Sequence, residues 1–157
     1  MVKLKHWFIF AWSNIFKFTI QHLLMKYRLM DILACPYDKT FPLTLVVFDE
    51  KTYPERTYSG RVPFCELYCA FKRMNIKDMS NPSQEAPCGE CIKHEVVNGI
   101  LYCPTCGRWY PIKDEIPILL PDELRNKKED EEFLDKFKDK IKELAPDIAS
   151  KILKQTA

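Results

Sequence analysis

Two pairs of cysteines stand three residues apart, Cys88 with Cys91 and Cys103 with Cys106. Thiolates at that spacing face one ion from a single turn, and Gly107 after the second pair lets the backbone bend beneath the sulfurs. Seven cysteines in 157 residues is a high and odd count. It fits metal binding in a reducing compartment better than a secreted disulfide framework, although hyperthermophile cytosol also carries disulfides. Four thiolates from Cys88, Cys91, Cys103 and Cys106 around Zn²⁺ would make a closed, structural site with no open position for chemistry. Disulfides or free buried thiols are the competing reading.

The other cysteines leave alternatives open. Cys35 heads a knuckle-like turn in which Asp38 holds the place of a second cysteine. Carboxylate ligates zinc, though less often in structural sites. Cys65 and Cys69 share a face if their segment is helical, and they would then join Cys88 and Cys91 in a second site. Cys35, Asp38, Cys103 and Cys106 would form the first. Plain core packing is the preferred reading of Cys65 and Cys69. A rubredoxin-type iron centre uses the same kind of knuckle, and the ligand list alone does not separate the two metals.

The pattern around these cysteines predicts a small domain with extensions. Leu43 to Phe48 is rich in β-branched residues and predicts a strand. Phe64, Leu67, Tyr68 and Phe71 fall on one helical face, so residues 60–94 read as a helical insert. Glu95 to Val97, then Asn98-Gly99, then Ile100 to Tyr102 predicts a hairpin with a type I′ turn. Trp109 to Ile112 and Ile116 to Leu120 predict short strands, which Pro111, Pro117 and Pro121 assign to sheet edges. Phe133, Leu134, Phe137, Ile141 and Leu144 predict an amphipathic helix that Pro146 ends, with a short second helix through Ile148, Ile152 and Leu153. The expected fold class is α+β: a small zinc-ribbon-like antiparallel sheet over residues 30–121, the insert, and a charged C-terminal helical extension over 122–157.

Residues 1–29 read as an extension. Trp7 to Trp12 is uninterrupted apolar, and Lys3, Lys5, Lys17, Lys26 and Arg28 are all basic. Lys17 breaks the run before a membrane span accumulates, and no small-residue cleavage site follows. A membrane-surface helix is one reading; an over-extended gene start, with the true start at Met25 or Met30, is favoured.

Charge and residue inventory narrow the function. With 24 basic and 22 acidic side chains, the chain lacks the electrostatic footprint of a protein that grips phosphates by itself. Four glycines are too few for a phosphate-cradling loop. Of the histidines, His6 and His22 lie in the N-terminal extension and His94 stands alone beside a lysine. The sequence holds no nucleophile elbow.

The run Asp31 to Pro36, then Gly99 to Gly107, Trp109 to Ile112, and Glu115 to Glu123, in that order, resembles the small zinc-ribbon methyltransferase-activator family over roughly residues 27–124. The lysine-rich tail suggests an archaeal-type member. The resemblance implies a non-catalytic partner subunit for a SAM-dependent methyltransferase acting on tRNA, rRNA or a translation factor. It implies a cytoplasmic 1:1 heterodimer, with Zn²⁺ in this chain and SAM in the partner. Nucleic acid would be met only through the partner, and a membrane only if residues 1–24 are translated. In this family the first knuckle supplies two cysteines, so Asp38 is a departure. The apolar segment Ile116, Pro117, Ile118, Leu119 and Leu120 suits adding a strand to a partner's sheet; burial under the chain's own C-terminal helix is its competing reading. A nucleic-acid-binding zinc ribbon and a rubredoxin-like electron carrier are the alternative functions.

Overall fold

Val46, Val47 and Phe48 favour an extended, half-buried backbone, and they lie in β1, Thr44–Thr52. The computed structural model describes residues 24–153. After β1 come two short strands, β2 (Tyr68–Cys69) and β3 (Met74–Asn75), and two single helical turns, α1 (Pro82–Glu85) and α2 (Cys88–Cys91). Then follow β4 (His94–Tyr102), β5 (Trp109–Lys113), β6 (Ile116–Pro117), α3 (Lys127–Leu144) and α4 (Pro146–Leu153). The main sheet is antiparallel with strand order β1-β4-β5-β6, and β2 pairs only with β3. The architecture is α+β: four-stranded sheet, insert with helical turns, and C-terminal helices.

Alternation along the strands gives the sheet two apolar faces. Val46, Phe48, Ile100, Tyr102 and Trp109 face α3 and α4, where Phe133, Leu134, Phe137, Ile141 and Ile152 complete one core. Phe48 stacks on Phe137 with ring centroids 4.9 Å apart. Leu43, Leu101, Tyr110 and Ile112 face the other way, against Met25, Met30 and Cys35. Each large side chain buried this way contributes about 1.5–3 kcal/mol. Asn126 caps α3 by accepting from the Glu129 N–H, and Glu129 and Asp130 place negative charge in its first turn. Leu144, expected on the buried stripe, is 52% exposed, because α3 ends there and the chain turns at Ala145.

The structure departs from the sequence reading at four further places. Asn98-Gly99 is no hairpin turn: β4 runs straight through it as the sheet's second strand. Glycine is needed there because β1 passes so close that an added Cβ would lie 2.5 Å from the Val46 carbonyl oxygen. The β1 register slips at the same level, between Val47 and Asp49 and again before Glu50. Lys140 seals this bulge, with Nζ donating to the Phe48 carbonyl at 2.9 Å and to Asp49 Oδ1 at 2.5 Å.

Residues 64–74 form no helix. The Asp31 carboxylate accepts the N–H groups of Glu66, Leu67 and Tyr68 at 2.7, 2.8 and 2.7 Å, and holds them in an irregular turn before β2. Leu67, expected on the packed face, is 60% exposed.

Pro111 lies in β5, an interior strand. Its carbonyl faces outward, where Ile118 N–H donates to it at 2.9 Å, so the missing donor falls on the thin β6 side of the ladder. β6 is the edge strand, as its proline predicts.

Met25 also belongs to the fold. Its N–H donates to the Glu115 carbonyl at 2.6 Å, and its carbonyl accepts from Val96 N–H at 2.8 Å. The packed structure therefore reaches back past the boundary expected at residue 30. The apolar run from Trp7 to Trp12 lies outside the described residues. Among the described residues, no helix is long and apolar enough to cross a membrane.

Candidate metal centre

Two turns of matching backbone geometry carry the centre. In the first, Lys39 N–H donates to the Cys35 carbonyl at 2.9 Å and Cys35 N–H to the Thr40 carbonyl at 3.0 Å. In the second, Gly107 N–H donates to the Cys103 carbonyl at 3.0 Å and Cys103 N–H to the Arg108 carbonyl at 2.8 Å. Position by position, Cys35, Asp38, Lys39 and Thr40 correspond to Cys103, Cys106, Gly107 and Arg108. The left-handed residue is Lys39 in one (φ 61°) and Gly107 in the other (φ 75°). Asp38 therefore occupies the place that Cys106 holds in its partner turn.

The turns face each other. Cys35 Sγ lies 3.7 Å from Cys106 Sγ, and Cys103 Sγ lies 3.5 Å from Asp38 Oδ2. The ligand atoms of Cys35, Asp38, Cys103 and Cys106 all fall within 4.8 Å of one another. A tetrahedron with metal–sulfur bonds of about 2.3 Å has edges of about 3.8 Å, slightly less with one oxygen. The spacing and the donor set thus suit a small thiophilic divalent ion, and these four residues could hold one.

The surroundings adjust the donors. Burial pushes the Cys103 thiol up, but the N–H groups of Cys106 and Thr105 outweigh it, and its pKa sits below the ordinary thiol value. Cys106 is pushed up to about 11, by burial first and by the neighbouring Cys103 and Cys35. The Thr40 N–H, 3.0 Å from Oδ1, holds the Asp38 carboxyl well below the usual carboxylate range. Tyr110 is fully buried with its hydroxyl 3.4 Å from Cys35 Sγ, placed to orient that sulfur. The Arg108 guanidinium lies 3.7 Å over the Tyr37 ring and donates to Asp122 at 3.0 Å, while the Tyr37 hydroxyl accepts from Asp122 N–H at 2.6 Å. The knuckles thereby grip the far end of the Ile116–Leu120 segment. Nothing in the spacing of the cysteines points to Tyr37, Arg108 or Tyr110; their roles depend on contacts between distant parts of the chain.

The structure does not bring Cys88 and Cys91 together with Cys103 and Cys106. It places Cys103 and Cys106 with Cys35 and Asp38, whereas Cys88 packs with Cys65 and Cys69 in the insert. Residues 116–120 lie along the open edge. Ile116 is 56% and Leu120 39% exposed, Pro117 and Ile118 are half-buried, and Leu119 packs inward against the face that carries Cys35. Helix α3 covers the opposite face of the sheet and does not bury this strip.

Two facing knuckle turns that could hold a metal ion, joined to a short antiparallel sheet, define a zinc-ribbon-like protein. The family model described as Trm112p-like protein matches residues 26–115, and the chain belongs to that family, the methyltransferase-activator family. Its members are activator subunits rather than catalysts. A search of curated proteins finds no match.

Proposed function

We propose that this protein is a non-catalytic activating and stabilising subunit of a SAM-dependent methyltransferase that modifies tRNA, rRNA or a translation factor in the cytoplasm. The carrying observation is the exposed apolar edge: Ile116, Leu120 and Leu124 are 56%, 39% and 68% exposed at the end of the sheet next to the metal centre. A partner's strand added at β6 would cover them, with Pro117, Ile118 and Leu119 keeping the edge in shape. SAM belongs to the partner, and any RNA is met through it.

In this reading Zn²⁺ sits between Cys35, Asp38, Cys103 and Cys106 and has a structural task. Bound there, it supplies a rigid cross-link between the two turns. Tyr110 orients Cys35, and Arg108 and Tyr37 carry the rigidity to Asp122 and so to the strip. The carboxylate of Asp38 departs from the all-thiolate set of a rubredoxin-type iron, which supports zinc over an electron carrier.

Co-expression tests the reading. With its cognate methyltransferase the chain should yield a 1:1 complex whose methyl-transfer rate far exceeds that of the lone enzyme. Unchanged solubility and rate across the methyltransferases of the source organism would refute it. Salt-sensitive binding of tRNA by the isolated chain would instead favour a nucleic-acid-binding zinc ribbon.

A further inference from the structure

We propose that Cys65, Cys69, Cys88 and Cys91 form a second, independent metal centre, a four-thiolate site for Zn²⁺ that holds the insert between β1 and β4 together. The inference starts from what the insert lacks. Its regular structure is two strands of two residues and two single helical turns. A two-stranded hairpin or an isolated helical turn is marginal at best. Units of below about 40 residues usually need a disulfide, a metal or a partner to fold.

The insert's own core is correspondingly poor in aliphatic bulk. The buried members of its cluster are Cys65, Cys69, Ile76, Met79, Ala86 and Cys88, and Cys91 is also buried. Cysteines are half of that cluster. The two-faced core of the main sheet is built on larger side chains, among them Leu, Ile, Phe, Tyr and Trp.

The backbone aims the four thiols inward from two directions. Cys88 and Cys91 stand three apart on α2 and so share a face, and both are about 5% exposed. Cys65 and Cys69 flank the turn whose N–H groups the Asp31 carboxylate gathers, which turns Glu66 and Leu67 outward and both cysteines in. Cys65, Cys69 and Cys88 pack in one buried cluster, and Cys91, on the same helical turn as Cys88, is buried as well. The four sulfurs sit wider apart than the donors of the first centre, so a metal would draw them in.

Binding is an acid–base exchange: Zn²⁺ displaces the four thiol protons, four Zn–S bonds form, and no electron moves. The resulting complex carries two negative charges. Arg28, whose guanidinium lies 5.4 Å above the ring of Phe64, the residue before Cys65, supplies a counter-charge.

Metal counting on the full chain tests this apart from the first centre. Purified under reductant with Zn²⁺ and then desalted, the wild type should hold two zinc ions per chain. The Cys88→Ser/Cys91→Ser variant should lose one. The Cys103→Ser/Cys106→Ser variant should keep one, whatever becomes of the first centre. The zinc-loaded wild type gives a second measurement that needs no variant to fold. Its Cys65, Cys69, Cys88 and Cys91 should resist alkylation by iodoacetamide until denaturant and chelator are added together, and Co²⁺ in place of Zn²⁺ should give the spectrum of tetrahedral thiolate ligation for two equivalents. Ready alkylation of these four in the zinc-loaded wild type, or their recovery as disulfides, would overturn the proposal.

Discussion

Arg56 reaches from the start of the insert to the second strand of the sheet and donates from Nη1 to Glu95 Oε1 at 2.6 Å. Glu95 is fully buried, and Lys26 Nζ approaches the same oxygen at 3.7 Å. Removing Arg56 leaves the buried carboxylate only the longer contact to Lys26, so Arg56→Ala should be strongly destabilising, by up to about 3–5 kcal/mol. Arg56→Met combined with Glu95→Leu should recover most of that loss. Urea unfolding of the three proteins checks the coupling.

Gly99 faces the Val46 carbonyl, a backbone atom that yields only by moving a strand. Gly99→Ala should therefore destabilise the protein by about 1–3 kcal/mol, the usual range for overpacking. If residue 99 were in a hairpin turn, alanine would instead act through the loss of a left-handed conformation. A crystal structure of the variant would separate the two by showing whether β1 has shifted.

Asp38 stands where its partner turn has a cysteine. Asp38→Cys should complete a four-thiolate centre and slow zinc loss to a competing chelator. Asp38→Ala should weaken retention by at least about 10–100-fold, the loss seen when even an outer partner of a ligand is removed. Competition with a chromogenic chelator reads both.

Ile116 is more than half exposed, so Ile116→Asp should change the stability of the isolated chain by no more than about 0.5 kcal/mol. It should nevertheless abolish recovery of a methyltransferase in co-expression, because a carboxylate would have to be buried beneath the added strand. Thermal melting of the lone variant beside the pull-down distinguishes a lost surface from a lost fold.

The Asp49 carboxyl is held below its ordinary value by the hydrogen bond from Lys140 first, and also by Asn98. A carboxylate with a depressed folded pKa stabilises above its unfolded value of about 3.9, and that stability is lost as pH falls through the folded pKa. Both side chains are substantially exposed, so the pair contributes only about 0.5 kcal/mol. Lys140→Met should be the less stable protein at pH 7, and the gap should narrow below about pH 4. The part due to the Phe48 carbonyl contact should persist.

Periodic segments were legible from sequence. The apolar stripe of α3 and the β-branched run of β1 are local patterns whose burial follows from their period alone. The Cys103–Cys106 knuckle was legible as a motif, but spacing alone set Cys88 and Cys91 first beside it and left Cys35 and Asp38 as the alternative. Grouping Cys35 and Asp38 with Cys103 and Cys106 needed the sheet to bring together residues far apart in the chain. Asn98-Gly99 misled because the same dipeptide serves a tight turn or a close approach, and only the neighbouring strand decides which. Residues 64–74 misled because helical spacing lost to Asp31, a carboxylate distant in sequence that captures three consecutive amides.

The kink that Lys140 seals makes the two rims of the sheet unequal. Along β1 the regular ladder is broken and the Phe48 oxygen is already engaged, which discourages a visiting strand. The opposite rim offers two residues ending at a proline, room for one guest segment. If the proposed partner adds its strand there, it would cover the last inviting backbone, and capture would end as a pair without propagating into a fibre.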